Sequence, residues 1–347
     1  MKQCLEQLLR GGSLSRAEAG DVLRALASGA IEPAVAGALL SLLRFRGETP
    51  EELAGFAQAM RDLASPPGLT GDLVDIVGTG GDSSASYNIS TGAALLAAAC
   101  GLRIAKHGNR AISSACGSAD VLQALGIAVP LRGDALSRAL ERTGFTFLFA
   151  PDFHPAMAAI APVRRALGVR TIFNMLGPLT NPARPVYGVI GAFSPAAART
   201  IAGALSALEI RRYFVVHGAQ GWDEPTPMGP FLLLDVRPGV VSECVRDPAD
   251  LGLARCSAED LRGGGPSENA QALEATLCGA QGPLADALAL GAALALEVAG
   301  AAESGRSGIE SARAAVRSGM ARQVLEVLRN VTQTAAACEP VERSSHA

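Results

Sequence analysis

Aromatic rings are scarce in this chain: they make up 4% of its 347 residues, with a single Trp. Stacking platforms for single-stranded nucleic acid are built from such rings, so that class is disfavoured. A basic excess is missing as well. Thirty Lys and Arg face 33 Asp and Glu, giving a net charge of −3 and a pI near 5.9. A dedicated nucleic-acid binder carries a basic face or stripe. Long apolar runs are absent too. The longest uninterrupted one, Gly92 to Leu102, has eleven residues, against roughly 20 for a helical membrane span. Glu6 and Arg10 interrupt the region where a secretory leader would be apolar. The seven cysteines are odd in number and scattered, and none forms a C-x-x-C pair. They lack zinc-site spacing and read as reduced, mostly buried thiols of a cytoplasmic protein. What is present is apolar: 49% hydrophobic residues against 18% charged ones, with a mean hydropathy of +0.25. That excludes a disordered chain and implies a sizeable core. At roughly 150 residues per domain, two lobes are expected.

Residues 1–65 show helical spacing and no strand signal. Ser15-Arg-Ala-Glu18 fits a capping box, a hydroxyl with a carboxylate three residues on. Further helices are expected over Ala34 to Leu43 and Glu51 to Leu63. Ser65-Pro66-Pro67-Gly68 then reads as a boundary, so 1–68 is taken as one lobe and 69–330 as another. Beyond it, short apolar runs at Leu73–Val77, Arg103–Ala105, Phe145–Phe149, Val186–Ala192 and Tyr213–Val216 alternate with helical patterns. These are Thr91–Cys100, Ala119–Leu125, Ala156–Leu167 and Ala196–Leu208. Strands alternating with helices imply βαβ units and a largely parallel sheet. A hairpin is expected over Phe231–Asp235 and Gly239–Val241. Helices follow over Ser267–Cys278, Leu284–Ala299, Ile309–Ser318 and Ala321–Leu328. The polar tail, 331–347, is expected to fray.

Three loops carry chemistry. Gly78-Thr-Gly-Gly-Asp82 follows a strand and leads to a helix beginning near Ser90-Thr91. Its glycines allow close backbone approach, and the helix start offers free N–H groups to an anion. The dinucleotide fingerprint would need Gly where Ser83 stands, and the P-loop signature is absent. Asp82 would repel a phosphate, so it suits sugar hydroxyls or a bridging cation. The second loop, Lys106-His-Gly-Asn-Arg110 through Ser113 and Ser114, lies at a strand's carboxyl end, where open α/β sheets place ligands. Lys106 is expected to offer a point charge to phosphate oxygens. In the third, Asp223-Glu224 follows a strand, and two carboxylates can hold magnesium together with substrate phosphates. Alone, such a pair is most often a solvated loop.

Together these residues resemble the anthranilate phosphoribosyltransferases, pentosyltransferases of tryptophan biosynthesis. The motifs are Gly78 to Asp82, Asn88-Ile-Ser-Thr91, Lys106 to Ser114, Gly117-Ser-Ala-Asp-Val-Leu122 and Asp223-Glu224. Further matches are Phe153-His-Pro155, Ala161-Pro-Val-Arg-Arg165, Thr171-Ile-Phe-Asn174, Leu176-Gly-Pro-Leu-Thr-Asn-Pro182 and Leu261-Arg-Gly-Gly264. The likeness spans roughly residues 10 to 328. Single pieces are shared with pyrimidine nucleoside phosphorylases, which resemble this family in fold.

The resemblance implies an α/β fold: a small all-helical lobe, joined in space by about 160–185, and a larger α/β lobe with a mostly parallel central sheet. The site lies between them, and homodimers form through the helical lobe. By that likeness, phosphoribosyl pyrophosphate is held by Gly78, Gly81, Asp82, Ser86, Asn88, Ile89, Ser90 and Thr91, by Lys106, His107, Gly108, Asn109, Arg110, Ser113 and Ser114, and by Ser118. Gly78, Asn109 and Arg164 contact anthranilate, with His107, His154 and Pro178 nearby. Ser90, Asp223 and Glu224 hold magnesium, two ions per protomer. No acid–base catalyst, nucleic acid or membrane partner is implied. Gly177-Pro178 is a candidate hinge. Ser83, Ser86, Gln123 and Pro225 depart from the family's usual residues without removing a ligand-type side chain. The alternatives are a pyrimidine nucleoside phosphorylase on the same fold and a catalytically silent, nucleic-acid-binding relative.

Overall fold

The computed structural model describes residues 1–82, 84–111 and 115–338. Ser83, Ser113 and Ser114, three residues singled out above, lie outside these segments. Four helices lead the chain: α1 (Lys2–Leu9), α2 (Arg16–Ala27), α3 (Pro33–Arg46) and α4 (Pro50–Leu63). Ser15 caps α2 with the expected box. Thr49 repeats the device on α4, its hydroxyl accepting from Glu52 N at 3.3 Å while Glu52 accepts from Thr49 N at 2.9 Å. Glu52 is fully buried and also takes Leu14 N at 2.8 Å and the Arg46 guanidinium. It thus ties three stretches of the bundle together.

The chain continues through β1 (Val74–Gly78), α5 (Ile89–Ala99), β2 (Ile104–Gly108), α6 (Ser118–Ala124), α7 (Asp134–Thr143), β3 (Phe145–Phe149) and α8 (Ala150–Phe153). Next come α9 (Met157–Leu167), α10 (Phe173–Leu176), β4 (Tyr187–Gly191), α11 (Pro195–Ser206), β5 (Arg212–His217), β6 (Phe231–Arg237) and β7 (Val240–Arg246). Four helices close it: α12 (Pro266–Leu277), α13 (Pro283–Val298), α14 (Gly305–Arg317) and α15 (Met320–Cys338). The strands form one sheet in the order β3-β2-β1-β4-β5-β6-β7. The first five are parallel, and the β6–β7 hairpin adds an antiparallel edge. Successive strand side chains point to opposite faces. On β5, Phe214 and Val216 therefore enter one core with α5, α13 and α15, while Tyr213 and Val215 enter another with α4 and α11. α9 lies on α2 and α3, and α10 on α4. Ile160, Ile172, Phe173 and Leu179 thereby join the N-terminal helices in one core.

Three expectations need correction. α7 falls where no helix was read, although Ala135, Leu136, Ala139 and Leu140 recur at helical spacing and are buried. The tail does not fray at 331: α15 runs on to Cys338. Its buried face continues from Leu328 to Val331 and Thr332, and the Thr332 hydroxyl accepts from Ala128 N at 3.1 Å. Nor are the cysteines mostly buried. Among those described, only Cys116 is, while Cys244 and Cys278 are exposed.

Candidate active site

The strand order reverses between β1 and β4, and the crevice at that reversal is where open α/β sheets bind ligands. Gly78 and Gly191 end these two strands in register. Both must be glycine because the acidic loop crosses directly over them. A Cβ on Gly191 would lie 1.5 Å from the Asp223 carbonyl oxygen, and one on Gly78 would lie 2.5 Å from Asp223 Oδ2. The closeness lets Asp223 Oδ2 accept from Gly80 N at 2.6 Å and from Thr79 Oγ1 at 3.5 Å. In return, Asp82 Oδ2 accepts from Asp223 N at 3.1 Å, and its Oδ1 from the Ser84 amide and hydroxyl. Asp82 therefore braces the Gly-rich loop against the acidic loop.

Glu224 Oε1 accepts from Ser90 N at 3.1 Å, in the first turn of α5. Ser90, Asp223 and Glu224, expected together from sequence, do meet. Lys106 meets them too, from an unexpected direction. It is 2% exposed, and its Nζ donates to Ile76 O and, at 3.4 Å, to Ser90 Oγ. A point charge waiting in a loop is thus corrected to a buried cation inside β2. Burial lowers its pKa, and the charges of Asp75, Glu224 and Asp223 oppose that shift. The acids feel the same desolvation. Burial pushes Asp75 up to about 6 and Glu224 up to about 7, each moderated by Lys106. Asp223 rises well above the usual carboxylate range, from burial and then from Glu224 beside it.

Crowded, desolvated carboxylates beside a serine hydroxyl form an oxygen donor set, which suits a hard cation. Among the described residues, no group of three or more His, Cys, Asp or Glu forms a metal cage. Magnesium does not need one, since it keeps waters and takes substrate phosphates.

The other expected phosphoribosyl ligands divide by role. Asn88 is a strut: its amide donates to Cys116 O at 3.1 Å and its carbonyl accepts from Asn269 at 2.9 Å. The Ile89 side chain lies in the core, 1% exposed, so its backbone is the part that can face a ligand. Thr91 is buried with an unpartnered hydroxyl. Ser86 forms an isolated bridge with Arg262, which places the Leu261-Arg-Gly-Gly264 stretch beside the loop. Gly81 is exposed in the loop, and Asn109 is exposed just past β2. Ser118 donates to Asn109 O at 3.3 Å, and Arg110 is engaged by Asp120 at 3.1 Å and by Gln123 at 2.7 Å. Gly108 ends β2, where a Cβ would meet Ser118 Oγ at 2.2 Å.

Around the connection from α8 to β4, His107 and His154 are both buried, their rings edge to face at 5.1 Å. His107 Nε2 and both nitrogens of His154 make no well-formed hydrogen bond, although the backbones of Gly177 and Thr180 approach the two rings. Burial pushes His107 down to about 3 and His154 to about 4. Pro178 is buried in the 3-10 turn Gly177–Leu179. Arg164, half-buried on α9, holds its guanidinium 5.2 Å from the Phe173 ring centre.

Three residues of this region had no role in the sequence reading. Asp75 and Asn181 are both 1% exposed and paired at 2.8 Å, and Asn181 also donates to Ala105 O at 2.8 Å. A carboxylate inside the apolar run Leu73–Val77 was the available signal. Arg170 donates to Gly81 O. Nothing in its local sequence marks it.

Two family models match the chain. One, described as glycosyl transferase family, helical bundle domain, covers residues 2–64; the other, glycosyl transferase family, a/b domain, covers 70–322. The chain belongs to this glycosyl transferase family. It is 43% identical over 346 residues to the anthranilate phosphoribosyltransferase of Desulforudis audaxviator, covering 99% of both chains. The crystal structure of anthranilate phosphoribosyltransferase from Thermus thermophilus matches with a TM-score of 0.89 at 45% identity, over 95% of this chain and 99% of that one. The Saccharomyces cerevisiae enzyme in complex with PRPP and Mg matches with a TM-score of 0.85 at 27% identity, over 96% and 97%. The same yeast enzyme has been solved with 4-fluoroanthranilate. Within the glycosyl transferase family, these likenesses place the chain among the anthranilate phosphoribosyltransferases.

Proposed function

We infer that the chain transfers the phosphoribosyl group of 5-phospho-α-D-ribose 1-diphosphate to the amine of anthranilate. The products are N-(5-phosphoribosyl)anthranilate and pyrophosphate, at a step of L-tryptophan biosynthesis. The observation that carries this reading is the crossing of the acidic loop over the Gly-rich loop at the reversal of strand order. Asp223, Glu224 and Ser90 meet there beside loop glycines. The names of the relatives agree with it. The phosphorylase and nucleic-acid readings are not favoured.

The amine of anthranilate is neutral near pH 7, so its lone pair is available without a general base. The barrier lies in pyrophosphate departure and in positive charge developing on the sugar. Bound magnesium would supply charge neutralisation of the leaving group. Ser90, Asp223 and Glu224 are the residues to hold it. The loop amides add fixed dipoles, and Lys106 adds a positive charge from beneath. Arg164 suits the anthranilate carboxylate through its planar fork. Asn109 joins it there, while His107, His154 and Pro178 form an apolar, water-poor wall with both histidines neutral. Rotation near Gly177-Pro178 closes the two lobes on the substrates, and proximity supplies part of the rate.

Two magnesium ions per protomer belong to the same proposal. So does a homodimer through the helical lobe, where Leu9 and Phe45 are 59% and 91% exposed. A cytoplasmic location is proposed from the biosynthetic role alone. The test is fluorimetric: anthranilate emission should disappear only when phosphoribosyl pyrophosphate and magnesium are both supplied. Loss of emission without either one, or none with both, would refute the reading.

A further inference from the structure

We propose that Arg170 is a positioning residue that fastens the α9–α10 connection to the Gly-rich loop and so sets that loop's grip on the diphosphate. The proposal rests on the phosphoribosyltransferase reading and adds a residue to it.

Arg170 belongs to the segment anchored among the N-terminal helices, since Ile172 and Phe173 just after it are buried in their core. Its side chain leaves that core. Nη2 donates to the Gly81 carbonyl, and the guanidinium carbon lies 4.6 Å from the centre of the Phe193 ring. Phe193 is itself bound to the loop, its N–H donating to Thr79 Oγ1 at 3.1 Å. On the other side, Asp223 holds Gly80 N at 2.6 Å. The loop is therefore gripped at Gly80 by a carboxylate after β5 and at Gly81 by a guanidinium from the helical side.

The grip has a geometric consequence. A trans peptide is planar and sends its N–H opposite its C=O. Pinning the Gly81 carbonyl toward Arg170 points the Asp82 N–H away from it. Gly80 and Gly81 both lie at positive φ, +66° and +72°. Glycine adopts such angles without strain but holds them weakly, so the shape of the loop depends on external ties. Arg170 is such a tie. Among the described residues, no carboxylate lies within ion-pair distance of it. A planar guanidinium can donate and stack at once, which a lysine ammonium cannot.

The experiment compares Arg170→Ala, Arg170→Lys and Phe193→Leu with the parent in magnesium. Both Michaelis constants and kcat are measured, and phosphoribosyl pyrophosphate binding is followed by calorimetry without anthranilate. Arg170→Ala should weaken phosphoribosyl pyrophosphate about tenfold in both KM and Kd, the worth of one hydrogen bond to a charged donor. The KM for anthranilate and the melting temperature should barely change. Lys should restore only part of the loss, and Phe193→Leu should give the same split more weakly. Affinity within twofold of the parent in Arg170→Ala, a parallel rise of both Michaelis constants, or full rescue by Lys overturns the proposal. If Arg170→Ala does not fold, the Lys and Phe193→Leu variants decide by the same split. A parent that fails to bind phosphoribosyl pyrophosphate would instead defeat the underlying reading.

Discussion

Asp223 and Glu224 share one buried lysine with Asp75, and burial raises the pKa of all three carboxyls despite it. Replacing both acids with Ala should cut kcat/KM by at least ~10²-fold, the order found when transition-state charge loses its partner. The far-ultraviolet dichroism should stay that of the parent. Near-parent rates at limiting magnesium would remove the metal role. The two buried histidines lead elsewhere. With values near 3 and 4, His107 and His154 stay neutral through the working pH range. An unfolded chain takes up protons at both near pH 6.5, about the unperturbed value. Their contribution to stability is therefore complete above about pH 6.5 and is lost progressively as the pH falls below it. Of the four histidines in the chain, two should show no protonation shift by NMR above pH 5. Titration of either one between pH 6 and 7 would contradict their burial.

At the scale of elements, the C-terminal helix carries more than its polar composition implies. Val331 and Thr332 are buried one turn past Leu328, and Thr332 satisfies the Ala128 amide. Truncation after Asn330 should destabilise the protein by about 2–3 kcal/mol, from one buried aliphatic side chain and one orphaned amide. Urea denaturation of the truncated chain measures it, and an unchanged midpoint would show the last turns to be dispensable. The strands were legible because each is a short apolar run bounded by turn residues. Phe145–Phe149 is found with the bounds read from sequence. α7 shows the opposite case. It follows Pro130 and Gly133 and has only ten residues, so its two buried pairs gave too short a period to stand out.

For the whole molecule, the site is assembled from β1, β2, β5 and the connections after them, with Arg170 reaching in from the helical side. A ligand that bridges these parts binds only the folded chain. Phosphoribosyl pyrophosphate with magnesium at a hundred times its dissociation constant should therefore add about 2.7 kcal/mol of stability. Differential scanning fluorimetry should show a rise in melting temperature with both present and much less with magnesium alone. Equal shifts with and without the diphosphate would place the metal away from the substrate.

Local pattern alone specified the alternation of strands and helices and the Gly-rich turn after β1, while the grouping of Ser90 with Asp223 and Glu224 came from the family resemblance. The alternation and the turn depend on residue type and short spacing, which the chain states directly. The burial of Lys106, the Asp75–Asn181 pair and the reach of Arg170 to Gly81 were settled only by the tertiary structure. Each joins residues from 30 to more than 100 positions apart. Which polar group ends up beneath a strand, and which arginine finds which carbonyl, depends on how the sheet and helices stack, and no local period carries that information.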